Sequence, residues 1–292
     1  MVRENNEKNI RKITFACIAV LILVLLSAGI YYKHYSDRQA YLGVVTQIRE
    51  MLGHERTIIH AAGAISGEDG ALYTYTNSID SLKQTYETGN RIVELDLMMS
   101  SDGLMICAHD SEQWAGGIDS DVPLTRDEFL DRKVYGLFAT MDLDMLADYM
   151  RDHDDLYIVT DVQNNMNIDG CRLIADTYPD LMDRFIVQIY HPYEYKPIRK
   201  MGYNSIIYTL YNCTEDELNP DTLVSDINSM DLVALTFWDD WLYNEELCER
   251  LKTTHVPMCV HTVDDPDRIL YDLDDAGITA VYTDNIDNDW LR

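Results

Sequence analysis

IVELDL at residues 92–97, followed by LMICAHD at 104–110, decides the reading of this chain. Successive side chains on a strand point to opposite faces, so Glu94 and Asp96 share one face of an otherwise apolar run. Two carboxylates on a buried face are unfavourable unless something positive sits between them. A second run, RTIIH, ends in His60, LMICAHD contributes His109-Asp110, and LYIVTDVQ carries Asp161. Three acids and two imidazoles at or near the ends of β-type runs suit a metal-assisted acid/base site better than a solvated surface.

Outward from that stretch, short β-rich runs alternate with amphipathic segments. The runs lie at 57–60, 91–97, 104–109, 156–162, 185–190, 205–210, 231–237, 257–263 and 279–283. Helices are expected over 77–88, 141–152, 168–177, 193–200, 214–228, 243–252 and 265–275. In the first of these, Asn77 or Ser78 can cap the opening amides, Ile79, Leu82 and Tyr86 line one face, and Gly89 suits a left-handed exit. Such alternation indicates parallel βα units. The connection from IVELDL to LMICAHD is too short for a helix crossover, which predicts a hairpin or tight return at Asp102-Gly103. The stretch 111–140, with Trp114, Gly116-Gly117 and Pro123, is the longest insertion and follows His109-Asp110 directly.

The N-terminus reads differently. Residues 13–32 contain no charge, and twenty helical residues at ~1.5 Å each span ~30 Å, the thickness of a bilayer's hydrocarbon core. Arg3, Lys8, Arg11 and Lys12 precede the segment, against Lys33 and Arg38 after it, so the positive-inside bias keeps residues 1–12 cytoplasmic. We therefore expect a single-pass cell-membrane protein with an extracytoplasmic domain; a signal peptide cleaved near Ser27-Ala28-Gly29 is the competing reading. Residues 33–55, with Tyr41, Val44, Val45, Ile48 and Leu52 near helical spacing, are read as a stalk or capping helix, leaving 56–292 for one large domain. The chain carries a net charge of −28, which repels nucleic acid and anionic lipid surfaces and excludes a nucleic-acid partner. Beyond Cys17 there are Cys107, Cys171, Cys213, Cys248 and Cys259; five cannot all pair, and Cys107 and Cys259 sit in apolar runs, so most are read as small buried hydrophobes.

At its site residues the chain resembles the glycerophosphodiester phosphodiesterase family. The ordered set is His60-Ala61-Ala62-Gly63, Thr76-Asn77-Ser78, Glu94-Leu95-Asp96, Asp102-Gly103 and His109-Asp110. VTDVQ at 159–163, MCVHTVDD at 258–265 and GITAVYTDNI at 277–286 continue it, so the resemblance covers about residues 56–287. It implies a TIM-type (β/α)8 barrel, irregular around its second and third runs and preceded here by one transmembrane helix. Nine runs for eight staves mean that one run is no strand or that one strand lies outside the barrel. The implied reaction is metal-dependent hydrolysis of a small-molecule or lipid-derived phosphodiester of the glycerophosphodiester type.

The same resemblance assigns roles. Mg²⁺ or Ca²⁺ would be held by Glu94, Asp96 and Asp161, while His60 serves as base and His109 as acid. For Asp161 the alternative is a helix N-cap ahead of Asn164-Asn165. Gln163 and His261 stand where substrate contacts are expected, and Tyr75 and Trp238 lie in aromatic loops able to stack on a sugar or cover a glycerol backbone; Tyr73 would ring the same rim. Trp241 and Tyr243 are read as wedges between helices and barrel. Departures are equally specific: the family's Arg after the first His is Ala61, its Lys beyond the third acid is Gln163, and its Glu before Asn-Thr is Thr76. Ala61 and Gln163 favour a catalytically silent barrel used for envelope binding or assembly, while the aromatic rim and the acidity favour a hydrolase of a glycan or a glycan-linked phosphodiester. His261 is read first as a rim residue satisfied by its neighbours, with replacement of some missing positive charge or hydrogen bonding as the alternative.

Overall fold

The protein is described by a computed structural model covering residues 2–109, 124–163, 166–214 and 216–291, with side chains from residue 22 onward except residue 289. One continuous helix, Val2–Glu55, opens the chain. Residues up to Val44 belong to one compact unit and Val45–Arg292 to another. Within the first, Ile22, Leu23, Val24, Leu25 and Leu26 are all more than half exposed. Among the described residues no helix is long and apolar enough to cross a membrane. The span expected at 13–32 is therefore not found among them: side chains 13–21 are outside the described residues, and beyond Tyr32 the helix turns polar with Lys33, His34, Asp37 and Arg38.

The second unit is a closed barrel of eight parallel strands. In chain order they are β1 (Thr57–Ile59), β2 (Ile92–Met99), β3 (Tyr157–Val162), β4 (Phe185–Ile189), β5 (Ile206–Thr209), β6 (Ala234–Trp238), β7 (Met258–His261) and β8 (Ala280–Thr283). Each pairs with its chain neighbours, and β1 closes the ring against β8 through Thr57↔Val281, Ile58↔Tyr282 and Ile59↔Thr283. A ninth strand, Met105–Cys107, runs antiparallel on the far end of β2 with Leu97 opposite Cys107, so the expected hairpin at Asp102-Gly103 is present and its second arm lies outside the ring.

Alternation along each strand builds two environments. Val93, Leu95 and Leu97 of β2 join Ile158 and Val162 of β3, Val187 of β4 and Phe237 of β6 in the core between strands and helices. Glu94 and Asp96, on the opposite face, point into the barrel. Seven helices lie at Ile79–Glu87, Leu143–Asp152, Asn167–Thr177, Pro192–Met201, Pro220–Asn228, Glu245–Lys252 and Pro266–Asp274, each overlapping an expected helix. The first is capped by Ser78, whose hydroxyl accepts from the Ser81 amide at 3.1 Å, which leaves Asn77 free for other work.

Below the barrel, Ile48 and Leu52 of the opening helix are buried, and the Arg49 guanidinium donates twice to the Leu232 carbonyl at the foot of β6, at 3.1 and 2.6 Å. Of the 111–140 insertion, residues 111–123 lie outside the described residues; the remainder forms a short helix, Arg126–Leu130, and a two-stranded ladder pairing Lys133 with Ala139. The cysteines beyond Cys17 are free thiols, and all but the half-buried Cys213 are buried.

Gly63 fixes the turn after His60. Its φ is +89° with ψ 167°, a region open in practice to glycine alone, and a Cβ there would lie 2.5 Å from Ile286 Cγ2 and 2.6 Å from Thr85 Oγ1. Gly63→Ala should destabilise the protein by about 2–4 kcal/mol. Urea unfolding checks this, and an unchanged midpoint would show that the turn relaxes freely.

Candidate active site

At the C-terminal mouth of the barrel a cavity of about 1100 Å³ is lined by His60, Tyr75, Glu94, His109, Asp161, Gln163, Trp238 and His261, among others. Eight of the nine residues singled out from sequence thus meet in one cavity. The ninth, Asp96, sits just beneath: it is the Cα partner of Asp161 across the β2–β3 ladder. One ligand atom from each of Glu94, Asp96 and Asp161 can be chosen so that all lie within 4.8 Å of one another.

The donors around these carboxylates differ. Ala61, in left-handed backbone at φ 45°, gives its amide to Glu94 Oε2 at 2.8 Å, while Glu94 Oε1 is buried with no hydrogen-bond partner. Asn77, also left-handed at φ 48°, grips Asp96 twice: its Nδ2 donates to Oδ2 at 2.8 Å and its Oδ1 accepts from the Asp96 amide at 3.0 Å. Gln163 Nε2 donates to Asp96 Oδ1 at 3.1 Å. Asp161 accepts from the hydroxyls of Tyr190 and Tyr211, the latter at 3.0 Å. It lies inside β3, and the following helix opens at Met166 without side-chain capping, so the N-cap alternative for Asp161 is not realised; Asn164 and Asn165 lie outside the described residues.

Burial, followed by repulsion from neighbouring carboxylates, pushes the Glu94 carboxyl well above the ordinary carboxylate range and the Asp96 carboxyl up to about 7. Asp161 is raised by burial despite its two tyrosine donors. These residues fit a divalent cation. The donor set is all oxygen, one oxygen is unpartnered, and the spread of ligand atoms is about twice a 2.0–2.6 Å metal–oxygen bond.

His60 follows β1, and its Nδ1 lies 2.8 Å from Asp284 Oδ1, a residue 224 positions away at the end of β8. Burial alone would lower its pKa; the Asp284 hydrogen bond and the charges of Asp284, Asp96 and Asp161 outweigh it and raise the value above 6.5. The Asp284 contact commits Nδ1 and leaves Nε2 as the nitrogen available to a reactant. Tyr75 stands edge-on to both imidazoles, its centroid 4.4 Å from His60 and 5.1 Å from His109. Asp110, the neighbour of His109 in the sequence motif, lies outside the described residues.

His261 departs from one expectation. It packs against Trp238 at 4.4 Å and Tyr211 at 4.6 Å between ring centroids, and its Nε2 is buried without a partner. Burial and the nearby His60 depress its pKa to about 3, so it supplies a neutral hydrogen-bonding imidazole and not the missing positive charge. Tyr73 likewise leaves the rim and packs on Tyr135 and Phe138. Trp241 is a wedge, stacked on Phe237 at 6.3 Å, whereas Tyr243 is 74% exposed. Asp284, Tyr190, Tyr211 and Gln188, whose Oε1 accepts from Thr209 at 2.7 Å, are site residues that motif spacing did not single out.

A profile of the glycerophosphoryl diester phosphodiesterase family matches residues 69–288. The chain belongs to that family. Its members are phosphoric diester hydrolases. A search of curated proteins gave no significant match. Among solved structures, the glycerophosphodiester phosphodiesterase of Thermotoga maritima is 19% identical with a TM-score of 0.62, covering 81% of this chain and 98% of that one. A Parabacteroides distasonis glycerophosphoryl diester phosphodiesterase is 14% identical with a TM-score of 0.58, covering 82% and 89%. An Oleispira antarctica phosphodiesterase, solved with the product sn-glycerol-3-phosphate, is 13% identical with a TM-score of 0.60, covering 78% and 92%. At these identities the likeness is one of fold.

The three substituted family positions each have their own partners. The Ala61 amide holds Glu94, Gln163 holds Asp96, and the Thr76 hydroxyl lies 3.0 Å from Ser78 Oγ.

Raised carboxyl pKa values also predict how metal-free stability varies with pH. The folded chain keeps protons that the unfolded chain has released from about pH 4 upward, so it binds more protons and stability falls as pH rises toward the folded values, about 7 for Asp96. In chelator, the parent should lose Tm between pH 5 and 8 relative to a Glu94→Gln, Asp96→Asn variant. A penalty of about 2 kcal/mol corresponds to about 4–8 °C in a domain of this size. Excess Mg²⁺ should remove the difference, because ligands bind it deprotonated. Identical pH dependence in both proteins would mean the acids are not destabilised by one another.

Proposed function

We propose that this protein is a metal-dependent phosphodiesterase that cleaves a glycerophosphodiester-type substrate into an alcohol and a phosphomonoester. The observation that carries this reading is the cluster of Glu94, Asp96 and Asp161, in which Glu94 Oε1 is buried and unpartnered, together with a histidine fixed by Asp284. Mg²⁺ or Ca²⁺ held by Glu94, Asp96 and Asp161 would polarise the phosphoryl oxygens and offset the diester's charge.

The chain's own groups carry the protons. Nε2 of His60 accepts the proton of the attacking oxygen, either water or a neighbouring hydroxyl of the substrate, while Asp284 holds the ring and its tautomer. Asp284 contributes most to raising the His60 pKa; Asp96 and Asp161 add to it, and a dication would neutralise that smaller part. His109 gives a proton to the departing alkoxide. Tyr75, between the two rings, keeps them apart and covers one side of the reacting group. No Lys or Arg lines the cavity among its described residues, so backbone amides, His261 and the histidine pair are the protein's means of meeting phosphate charge.

With saturating Mg²⁺ or Ca²⁺, His60→Ala and His109→Ala should each lower kcat on glycerophosphodiesters by about 10²–10⁴-fold, and Asp284→Asn by less. An alcohol-release assay measures it. Equal rates for the parent and the double histidine variant would leave the silent-barrel reading, which the lack of wall cations favours.

We further propose that residues 13–32 anchor the chain in the cell membrane with the barrel outside the cytoplasm. Support comes from the uncharged twenty-residue run, its basic N-terminal flank, and the exposed side chains of Ile22 to Leu26. Protease added to intact cells should then remove the barrel, and digestion only after lysis would reverse the topology.

A further inference from the structure

His60 takes its orientation from Asp284, and Asp284 is itself held by a residue that does not line the cavity. Asp264 is exposed and lies in the connection that follows β7. Its Oδ1 accepts from the Asp284 amide at 2.8 Å and from the Thr283 hydroxyl at 2.8 Å, and its carbonyl accepts from Asn285 Nδ2 at 2.8 Å. The Thr283 oxygen in turn accepts from the Asn285 amide at 3.2 Å. One acid thus gathers the chain just where β8 delivers Asp284 to the mouth.

Helix capping does not account for Asp264. The helix Pro266–Asp274 is capped by the next acid, Asp265, whose Oδ1 accepts from the Arg268 amide at 2.9 Å. Asp264 turns instead to a segment 20 residues farther along the chain. From the other side the Ala64 amide donates to the Asp284 carbonyl at 2.8 Å, and Asn90 Nδ2 donates to the Ile286 carbonyl at 2.7 Å. With its N–H and C=O both held, the Asp284 backbone is fixed, and only side-chain rotamers are left to move its carboxylate. That carboxylate reaches His60 Nδ1 at 2.8 Å, the contact that leaves Nε2 for a reactant.

We propose that Asp264 is a positioning residue: it holds Asp284 so that the Asp284 carboxylate fixes the tautomer and orientation of His60. The proposal rests on the phosphodiesterase reading for its effect on turnover, and on the hydrogen bonds alone for its effect on the imidazole. Asp264 acts by accepting two hydrogen bonds through one oxygen, so an amide oxygen at the same place can replace it and a methyl group cannot.

Nitrogen NMR of the histidine rings in the metal-free, full-length protein at about pH 9, where imidazole is mainly neutral, reads the His60 tautomer without substrate. The parent should show Nδ1 protonated and Nε2 bare. Asp264→Ala should move His60 most of the way to the state seen in Asp284→Ala, Thr283→Val should move it the same way by less, and Asp264→Asn should match the parent. Thermal unfolding confirms that each variant is folded. In turnover of a glycerophosphodiester with saturating Mg²⁺, Asp264→Ala should lower kcat about tenfold with KM unchanged, and in an Asp284→Ala background it should add little, because both act through one contact. A His60 tautomer untouched by Asp264→Ala and Thr283→Val overturns the proposal, as do equal losses from Asp264→Asn and Asp264→Ala, or additive losses with Asp284→Ala. The expected tautomer change in a protein that hydrolyses no glycerophosphodiester sustains the hold of Asp264 on His60 and overturns the phosphodiesterase reading. Hydrolysis that depends on His60 and is indifferent to Asp264→Ala does the reverse.

Discussion

Mutual repulsion among Glu94, Asp96 and Asp161 is the constraint on which the rest of the mouth depends. Two adjacent strands place Asp96 and Asp161 at the same level of the barrel, and the pleat turns Glu94 to the same side. Burying three carboxylates this way opposes folding unless donors and a cation answer them. The donors present, Asn77, Gln163, Tyr190, Tyr211 and the Ala61 amide, leave one Glu94 oxygen unanswered. A hard cation would answer that oxygen and the mutual repulsion together.

Backbone strain follows the same logic. Ala61, Ala62, Tyr75 and Asn77 all adopt positive φ although none is glycine, four of the seven such residues among those described. Their loops deliver the Ala61 amide, the Tyr75 ring and the Asn77 amide group to the acids and histidines. Strain of this kind persists only where surrounding contacts over-determine the backbone. Here Ser81 and Thr85 hydroxyls hold the Ala62 carbonyl at 3.0 and 2.6 Å, and Asp284 ties both His60 and, through its carbonyl, the Ala64 amide at 2.8 Å.

The barrel was largely legible in the sequence because parallel strands buried on both faces appear as apolar runs, and the covering helices show one apolar face each. The outlying strand Met105–Cys107 followed from the short connection at Asp102-Gly103, five residues between the strands and too short for a crossover. Short elements such as Arg126–Leu130 were not legible, since five residues carry no period. Within the site, Glu94, Asp96, Asp161 and the two histidines stood out as polar groups in apolar runs. Partners joined by closure did not: Asp284 reaches His60 across 224 residues, and Tyr190 and Tyr211 read as ordinary strand-end aromatics. Nor did sequence show that His261 is held neutral, because that follows from the rings that bury it.

Cation binding by the three acids is tested most directly by anomalous scattering from crystals of the protein grown with Mn²⁺, an ion that accepts the same oxygen ligands as Mg²⁺. A peak is expected between Glu94, Asp96 and Asp161, with an oxygen of each within about 2.0–2.6 Å of it. A map in which saturating Mn²⁺ leaves that position empty, with the acids instead sharing protons, would contradict it.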